Sequence, residues 1–333
     1  IGVQFRIGDR LPRIGSELVF AGNAPAEVSE DVCSITNDIG NSPIISNGDD
    51  LVSNRLGKAT IIEPILSDGD VIGVLVAANK QGNDSEASSV DIKLLSATAA
   101  QIAIFLENAL LYEDLSATFL GTLEALTASI DAKDKYTSGH SLRVALLTAQ
   151  LAEEAGLDAE LVDRFRIAGL VHDIGKIGVP EHVLTKKGGL TNGEFAEIQK
   201  HPEIGAKILK DIPQMEDILG GVLHHHEKFD GGGYPHGISG NDIPLVARMI
   251  SLADTFDAMS SSRTYRNAMN RNSVLDEMKR VVGSQFDPEL AELFFALDFS
   301  KWEQLMIEHH VGRPSLGSDH NGSRPITDQR NAA

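Results

Sequence analysis

The spacing of hydrophobic residues changes near Val90. Before it, Ala59–Leu66 and Val71–Ala78 are short runs rich in β-branched residues, joined by Ser67-Asp68-Gly69-Asp70. This predicts a β-hairpin whose turn holds a glycine where positive φ is needed. Pro43-Ile44-Ile45 and Leu18-Val19-Phe20 predict further short strands, and the polar stretch Gln81–Ser89 predicts a loop. From Val90, Leu94, Leu95, Ile102, Leu106, Leu110, Leu111, Leu115, Leu120, Leu123 and Leu126 recur at helical spacing. Gln101, Asn108, Glu113 and Ser116 interrupt any simple heptad, which leaves a dimeric coiled coil open.

After Ala128 the pattern is helix upon helix: Gly139–Ala155, Ala159–Val171, Asn192–Leu209, Asp217–His226, Val246–Ser260, Arg271–Val282 and Pro288–Ala296. Gly156, Gly175, Gly178 and Gly283 punctuate it, and Lys186-Lys187-Gly188-Gly189 and Asp230–Gly240 predict polar loops. Beyond Val311 few apolar residues remain, so a disordered tail is expected.

A chain of 333 residues has room for about two domains. Its 29 basic and 48 acidic residues give a formal charge of −19. That argues against a nucleic-acid backbone or an anionic membrane as the main partner, since both need basic patches. Positive charge for an anionic ligand must then be local, from metal ions or a few placed Lys and Arg. One cysteine, Cys33, forms no internal disulfide and fits a reducing, cytoplasmic setting. Uninterrupted apolar runs such as Val71–Ala78 fall short of the roughly 20 residues of a membrane helix. The chain starts at Ile1 without a signal-peptide pattern and reads as a segment of a longer protein.

Eight of the 11 histidines fall between His140 and His236, less than a third of the chain. Clustered His with acidic neighbours is the composition of a transition-metal site. The candidates are His140, His172-Asp173, His201, His225-His226 and Asp254. His172-Asp173 ends an apolar helix, where a buried imidazole beside a buried carboxylate needs partners, and a cation offsets their desolvation. Three consecutive histidines on one helix cannot all face one ion, because neighbours point about 100° apart. His225 and His226 therefore serve together only if the helix ends there, which leaves His224 aside. His182, His236, His309, His310 and His320 are expected at the surface.

His172-Asp173-Ile174-Gly175-Lys176 and His225-His226-Glu227-Lys228-Phe229-Asp230-Gly231-Gly232-Gly233-Tyr234-Pro235 resemble the HD-GYP phosphodiesterases, which hydrolyse the bacterial messenger cyclic di-GMP. The resemblance extends from about Leu115 to Phe295. It takes in Ala132–Val144, His201–Gly205, Ala253–Met259, Arg263-Thr264-Tyr265-Arg266 and Phe286-Asp287-Pro288 in order. It implies one metal held by His140, His172, Asp173 and Asp254, and a second by His201, His225 and His226, with Asp173 bridging. Some members carry a glutamate four residues before the first histidine and bind a third metal. Tyr136 stands there, so two metals are expected.

Phosphodiester hydrolysis needs an activated water and relief of charge at phosphorus, and two cations about 3.5–4 Å apart supply both. Asp173 and Lys176 are the expected catalytic residues. Five histidines favour iron or manganese over magnesium, while zinc also suits the ligand types. By resemblance Lys176, Arg263 and Arg266 contact the substrate phosphates, and Tyr234 in its glycine-rich loop shapes the pocket.

The strand, turn, strand and long helix of the first half resemble the end of a GAF sensor domain. The expected fold class is multidomain: an N-terminal α/β GAF-like unit with an antiparallel sheet, and a C-terminal all-α HD-type phosphohydrolase. The expected bounds are 1–112 for the partial GAF-like domain, 90–130 for a connecting helix, 115–300 for the HD-GYP domain and 311–333 for the tail. The implied activity is conversion of cyclic di-GMP to linear pGpG, with GMP the further product if both esters are cut, under GAF control. Alternatives are a phosphodiesterase for cyclic GMP-AMP and a catalytically silent cyclic-dinucleotide receptor. The expected partners are a second copy, through the GAF-like domain and connecting helix, and a diguanylate cyclase or upstream sensor.

Overall fold

The computed structural model describes residues 2–5, 19–20, 40–48, 52, 56–80, 86–132, 139–186, 188–261 and 270–308. The expectations at Cys33, Tyr136, Arg263, Arg266, His309, His310, His320 and the tail 311–333 lie outside those residues. The chain divides into two compact units, Ile1–Thr118 and Phe119–Ala333.

In the first unit, β1 (Gly2–Phe5), β2 (Val19–Phe20), β3 (Ile44–Ser46), β4 (Thr60–Ser67) and β5 (Asp70–Ala77) form an antiparallel sheet of order β2-β1-β5-β4-β3. The predicted hairpin is β4–β5. Ser67 pairs with Asp70, and Asp68 and Gly69 turn the chain with φ of 50° and 86°, two positive values that suit the strand twist. β1 was not expected from the pattern. Four residues are too few to show a period, and the strand's place comes from pairing with distant β5.

Ile62, Val74 and Val76 pack with Leu56 in one cluster, and Ile61, Ile65 and Leu75 pack with Leu95, Ala99 and Ala103 in another. Burial on both faces explains why β4 and β5 read as apolar runs instead of an alternation. The partners in the second cluster come from α1 (Ser89–Asp131), a single 43-residue helix. Another stripe of α1 is exposed: Val90, Leu94, Ala97, Gln101, Ile104, Asn108, Leu111 and Leu115, at alternating steps of four and three. By length and composition alone α1 also suits a membrane span, with a window of mean hydropathy 1.5.

The second unit is all-α among the described residues. Its helices are α2 (His140–Glu154), α3 (Ala159–Val171), α4 (Glu181–Leu184), α5 (Asn192–Ile198), α6 (His201–Leu209), α7 (Leu219–His224), α8 (Leu245–Ser260), α9 (Arg271–Lys279), α10 (Pro288–Phe295) and α11 (Ser300–Glu308). Leu147 and Leu151 of α2, Leu170 of α3 and Met249 and Phe256 of α8 belong to one buried core.

The expected helix Asn192–Leu209 is in fact two, α5 and α6. Thr191 and Glu194 form a reciprocal cap that starts α5, and Pro202 falls in the first turn of α6, where its missing N–H costs nothing. The expected helix Asp217–His226 is shorter: a 3-10 stretch, Pro213–Ile218, leads into α7, which stops at His224. α9 stops at Lys279 rather than Val282. The pattern also missed α4 and α11, the first being a single turn and the second largely polar.

Candidate metal centre

The metal-ligand candidates come mostly from helix ends, where a side chain escapes the helical ladder. His140 opens α2 after Gly139, whose φ is 71°. His172 follows the last residue of α3, and Asp173 precedes a 3-10 turn, Ile174–Gly178. His201 opens α6, His225 and His226 follow α7, and Asp254 lies within α8. Gly175 lets these segments meet, since a Cβ there would collide with the His201 carbonyl.

The structure brings all seven together in two groups. His140, His172 and Asp254 offer donor atoms within 4.8 Å of one another, and so do Asp173, His201, His225 and His226. Asp173 faces both. Its Oδ2 lies 3.4 Å from His172 Nε2 and 3.7 Å from His140 Nε2, and its Oδ1 lies 3.2 Å from His201 Nε2. His140 Nε2 is 3.2 Å from Asp254 Oδ1, and the Nε2 atoms of His201 and His225 are 3.2 Å apart.

Three imidazoles are oriented by one device. Nδ1 of His172, His201 and His225 donates to the carbonyl three residues earlier, Gly169, Ile198 and Val222, at 2.7, 2.8 and 2.8 Å. A carbonyl only accepts, so each Nδ1 carries the proton and each Nε2 is turned to the pocket. His140, first in its helix, uses a carboxylate instead. Its Nδ1 lies 2.8 Å from Oδ2 of Asp257, which is fully buried.

Burial disfavours the charged form of Asp173, yet Lys176 and His172 hold its carboxyl well below the ordinary range. Asp254 is likewise lowered against desolvation, chiefly by its hydrogen bond with His140. Desolvation and His226 keep His225 well below the usual imidazole range, while desolvation and His201 bring His226 down to about 3. For His140 desolvation is overridden by the hydrogen bonds to Asp254 and Asp257, and its value is pushed up to about 10.

His172 Nε2 and Asp173 Oδ1 are buried without a hydrogen-bond partner. Each orphan costs about 1–3 kcal/mol unless something compensates it. A divalent cation in each group removes both costs, and imidazole with carboxylate is a donor set that transition ions accept. The residues fit the group.

Of the other expected site residues, Lys176 pairs with the centre itself, its Nζ lying 2.5 Å from Asp173 Oδ2. Tyr234 stacks on His226 with ring centroids 4.8 Å apart and meets Phe195 edge-on. Burial, with Asp173 and Asp254 nearby, pushes its phenol up. Its loop is strapped by buried Glu227, which accepts from the His236 and Gly237 amides at 2.7 and 3.1 Å. Gly233 is required here, because a Cβ would strike the backbone of Glu227 and Lys228.

Sequence reasoning gave no role to Asp257. It accepts from Arg143 Nε at 2.6 Å and Trp302 Nε1 at 2.7 Å while holding His140. The available signal was its position three residues after Asp254 on one helix, which sets both on the same face.

The sequence profile of the HD domain family matches residues 124–290, and that of the GAF domain family matches residues 8–106. The 3'3'-cGAMP-specific phosphodiesterase 2 of Vibrio cholerae is 35% identical over 214 residues, covering 64% of this chain and 41% of that protein. The cyclic di-GMP phosphodiesterase PA4108 of Pseudomonas aeruginosa is 39% identical over 187 residues, 55% of this chain and 45% of that one. A cyclic di-GMP phosphodiesterase of Thermotoga maritima is 34% identical over 215 residues, 64% of this chain and 56% of that one. The chain spans about half the length of these relatives.

Proposed function

This chain belongs to the HD domain family, with a GAF domain ahead of the HD domain, and from that premise we propose that it hydrolyses cyclic di-GMP using two divalent cations. The carrying observation is Asp173, whose two oxygens face opposite donor groups. His140, His172 and Asp254 would hold one ion and His201, His225 and His226 the other, with Asp173 between the two groups. Iron or manganese suits five imidazoles and two carboxylates. Bound there, two divalent ions would supply Lewis-acid chemistry, easing the ionisation of water and the build-up of charge on the phosphoryl oxygens.

The chain's own residues do the rest. With only two carboxylates among the seven donors, two divalent ions bound there would keep a net positive charge, as a phosphodiester requires. Lys176, a quarter exposed beside Asp173, offers an ammonium to a phosphate oxygen. By the resemblance to the HD-GYP phosphodiesterases Arg263 and Arg266 would add further phosphate contacts, and Tyr234, stacked on His226, would meet a guanine base. Water attacks in line, the ribose 3′-oxygen leaves, and linear pGpG results, with GMP following if the second ester is cut.

A second reading, hydrolysis of cyclic GMP-AMP, is favoured by the Vibrio cholerae relative that carries this specificity in its name. A silent receptor has less support, since it need not keep all seven donors. Equal concentrations of cyclic di-GMP and cyclic GMP-AMP, given to anaerobically loaded protein, separate the readings. Higher kcat/KM on cyclic di-GMP supports the first, higher kcat/KM on cyclic GMP-AMP the second, and no turnover of either refutes both.

The same reading makes this a cytoplasmic enzyme that works as a homodimer through α1 and answers to a diguanylate cyclase or upstream sensor. The exposed stripe of α1 supports the dimer. Leu94, Gln101, Asn108 and Leu115 fall at one seam position and Val90, Ala97, Ile104 and Leu111 at the other, and an Asn at such a site favours a two-stranded register. Control by the first domain is part of the same proposal. Within the second unit Asp131, the last residue of α1, accepts from the Ser141 amide and hydroxyl at 3.2 and 3.0 Å, next to His140.

A further inference from the structure

Beside the seven donors lies a second constellation. His224, Glu227 and His236 present donor atoms within 4.8 Å of one another, and none of the three belongs to the dinuclear groups. His224 Nδ1 is buried without a hydrogen-bond partner and lies 3.6 Å from Glu227 Oε1. The rings of His224 and His236 are 5.2 Å apart.

We propose that His224, Glu227 and His236 form a separate, mononuclear transition-metal site, suited to zinc, that fastens the end of α7 to the loop carrying Tyr234. A tetrahedral zinc with donors at about 2.0–2.2 Å places them roughly 3.3–3.5 Å apart. The His224–Glu227 pair is already near that separation, and exposed His236 brings a donor atom within 4.8 Å of both. Two imidazoles and one carboxylate with a fourth position open is a known zinc donor set.

The position gives the ion a consequence. Glu227 already accepts from the amides of residues 236 and 237, so its carboxylate is oriented by the loop. His224 directly precedes His225, and His236 lies two residues beyond Tyr234, the ring stacked on His226. A metal at this point stiffens the wall of the pocket without entering it.

The test counts zinc per chain by elemental analysis after metal-stripped full-length protein is equilibrated with Zn²⁺ and freed of excess. His236→Ala keeps the backbone amide bound to Glu227, and His309, His310 and His320 are common to both proteins and cancel in the difference. The expected result is one zinc fewer in His236→Ala than in wild type, with the lost ion restored by His236→Cys. Equal zinc content in wild type and His236→Ala overturns the proposal. The same pair on an Asp173→Ala, His201→Ala background keeps the question apart from the dinuclear reading. A one-zinc difference there supports this site whether or not the larger centre binds, and no difference overturns it.

Discussion

His140 Nδ1 and Asp257 Oδ2 lie 2.8 Å apart, and this contact replaces the backbone carbonyl that orients His172, His201 and His225. His140 begins its helix, and the carboxylate that orients it comes from α8. Asp257 is in turn fixed by Arg143 and Trp302.

Asp257→Asn should therefore act through His140. The amide retains the shape but loses the charge that orients the ring, and such supporting partners typically contribute 10–100-fold in metal affinity. Competition with a chelating dye should show about that loss for one ion per chain and little change for the other. Equal weakening of both ions would refute the assignment.

Asp173→Ala and Lys176→Ala should separate metal binding from substrate binding. Without Asp173 both ions lose an anionic ligand, so metal content and turnover should fall together, turnover by orders of magnitude. Without Lys176 metal content should persist while KM rises. Turnover of Asp173→Ala within a few-fold of wild type would count against the bridge, and an unchanged KM for Lys176→Ala would remove it from the phosphate site.

Metal affinity should rise with pH. His140, pushed up to about 10, is protonated in the metal-free pocket near neutrality and must release the Nε2 proton to bind. His226, brought down to about 3, and the lowered Asp173 and Asp254 release none there. Calorimetry in buffers of different ionisation enthalpy should detect at least one proton released per pair of ions. Binding with no net release would contradict the charge state of His140.

Leu111→Glu should convert dimer to monomer, because it sets a charge in the proposed seam of α1 away from the residues that face the sheet. A dissociation constant raised about 100-fold corresponds to about 2.7 kcal/mol. Sedimentation should report it, and an unchanged dimer would move the interface elsewhere.

Much of this was legible in the order of residues. The β4–β5 hairpin could be read because both strands are long and their turn is local. His172-Asp173 stood out because an imidazole and a carboxylate at the end of an apolar helix are costly to bury unless a cation compensates them, while the division of the seven candidates into two groups came from the resemblance to the HD-GYP phosphodiesterases. The two stripes of α1 could not be separated. Leu94 and Leu95, or Leu110 and Leu111, are adjacent in sequence, and only the sheet's contact with Leu95, Ala99 and Ala103 identifies the exposed series. Asp257 and Trp302 were equally hidden, since their value lies in contacts across distant helices.

The most direct measurement is an anomalous difference map at the manganese edge from crystals of the manganese-loaded chain. Two peaks about 3.5–4 Å apart should straddle the Asp173 carboxylate, one beside His140, His172 and Asp254, the other beside His201, His225 and His226. A single peak, or manganese bound away from Asp173, would contradict the account.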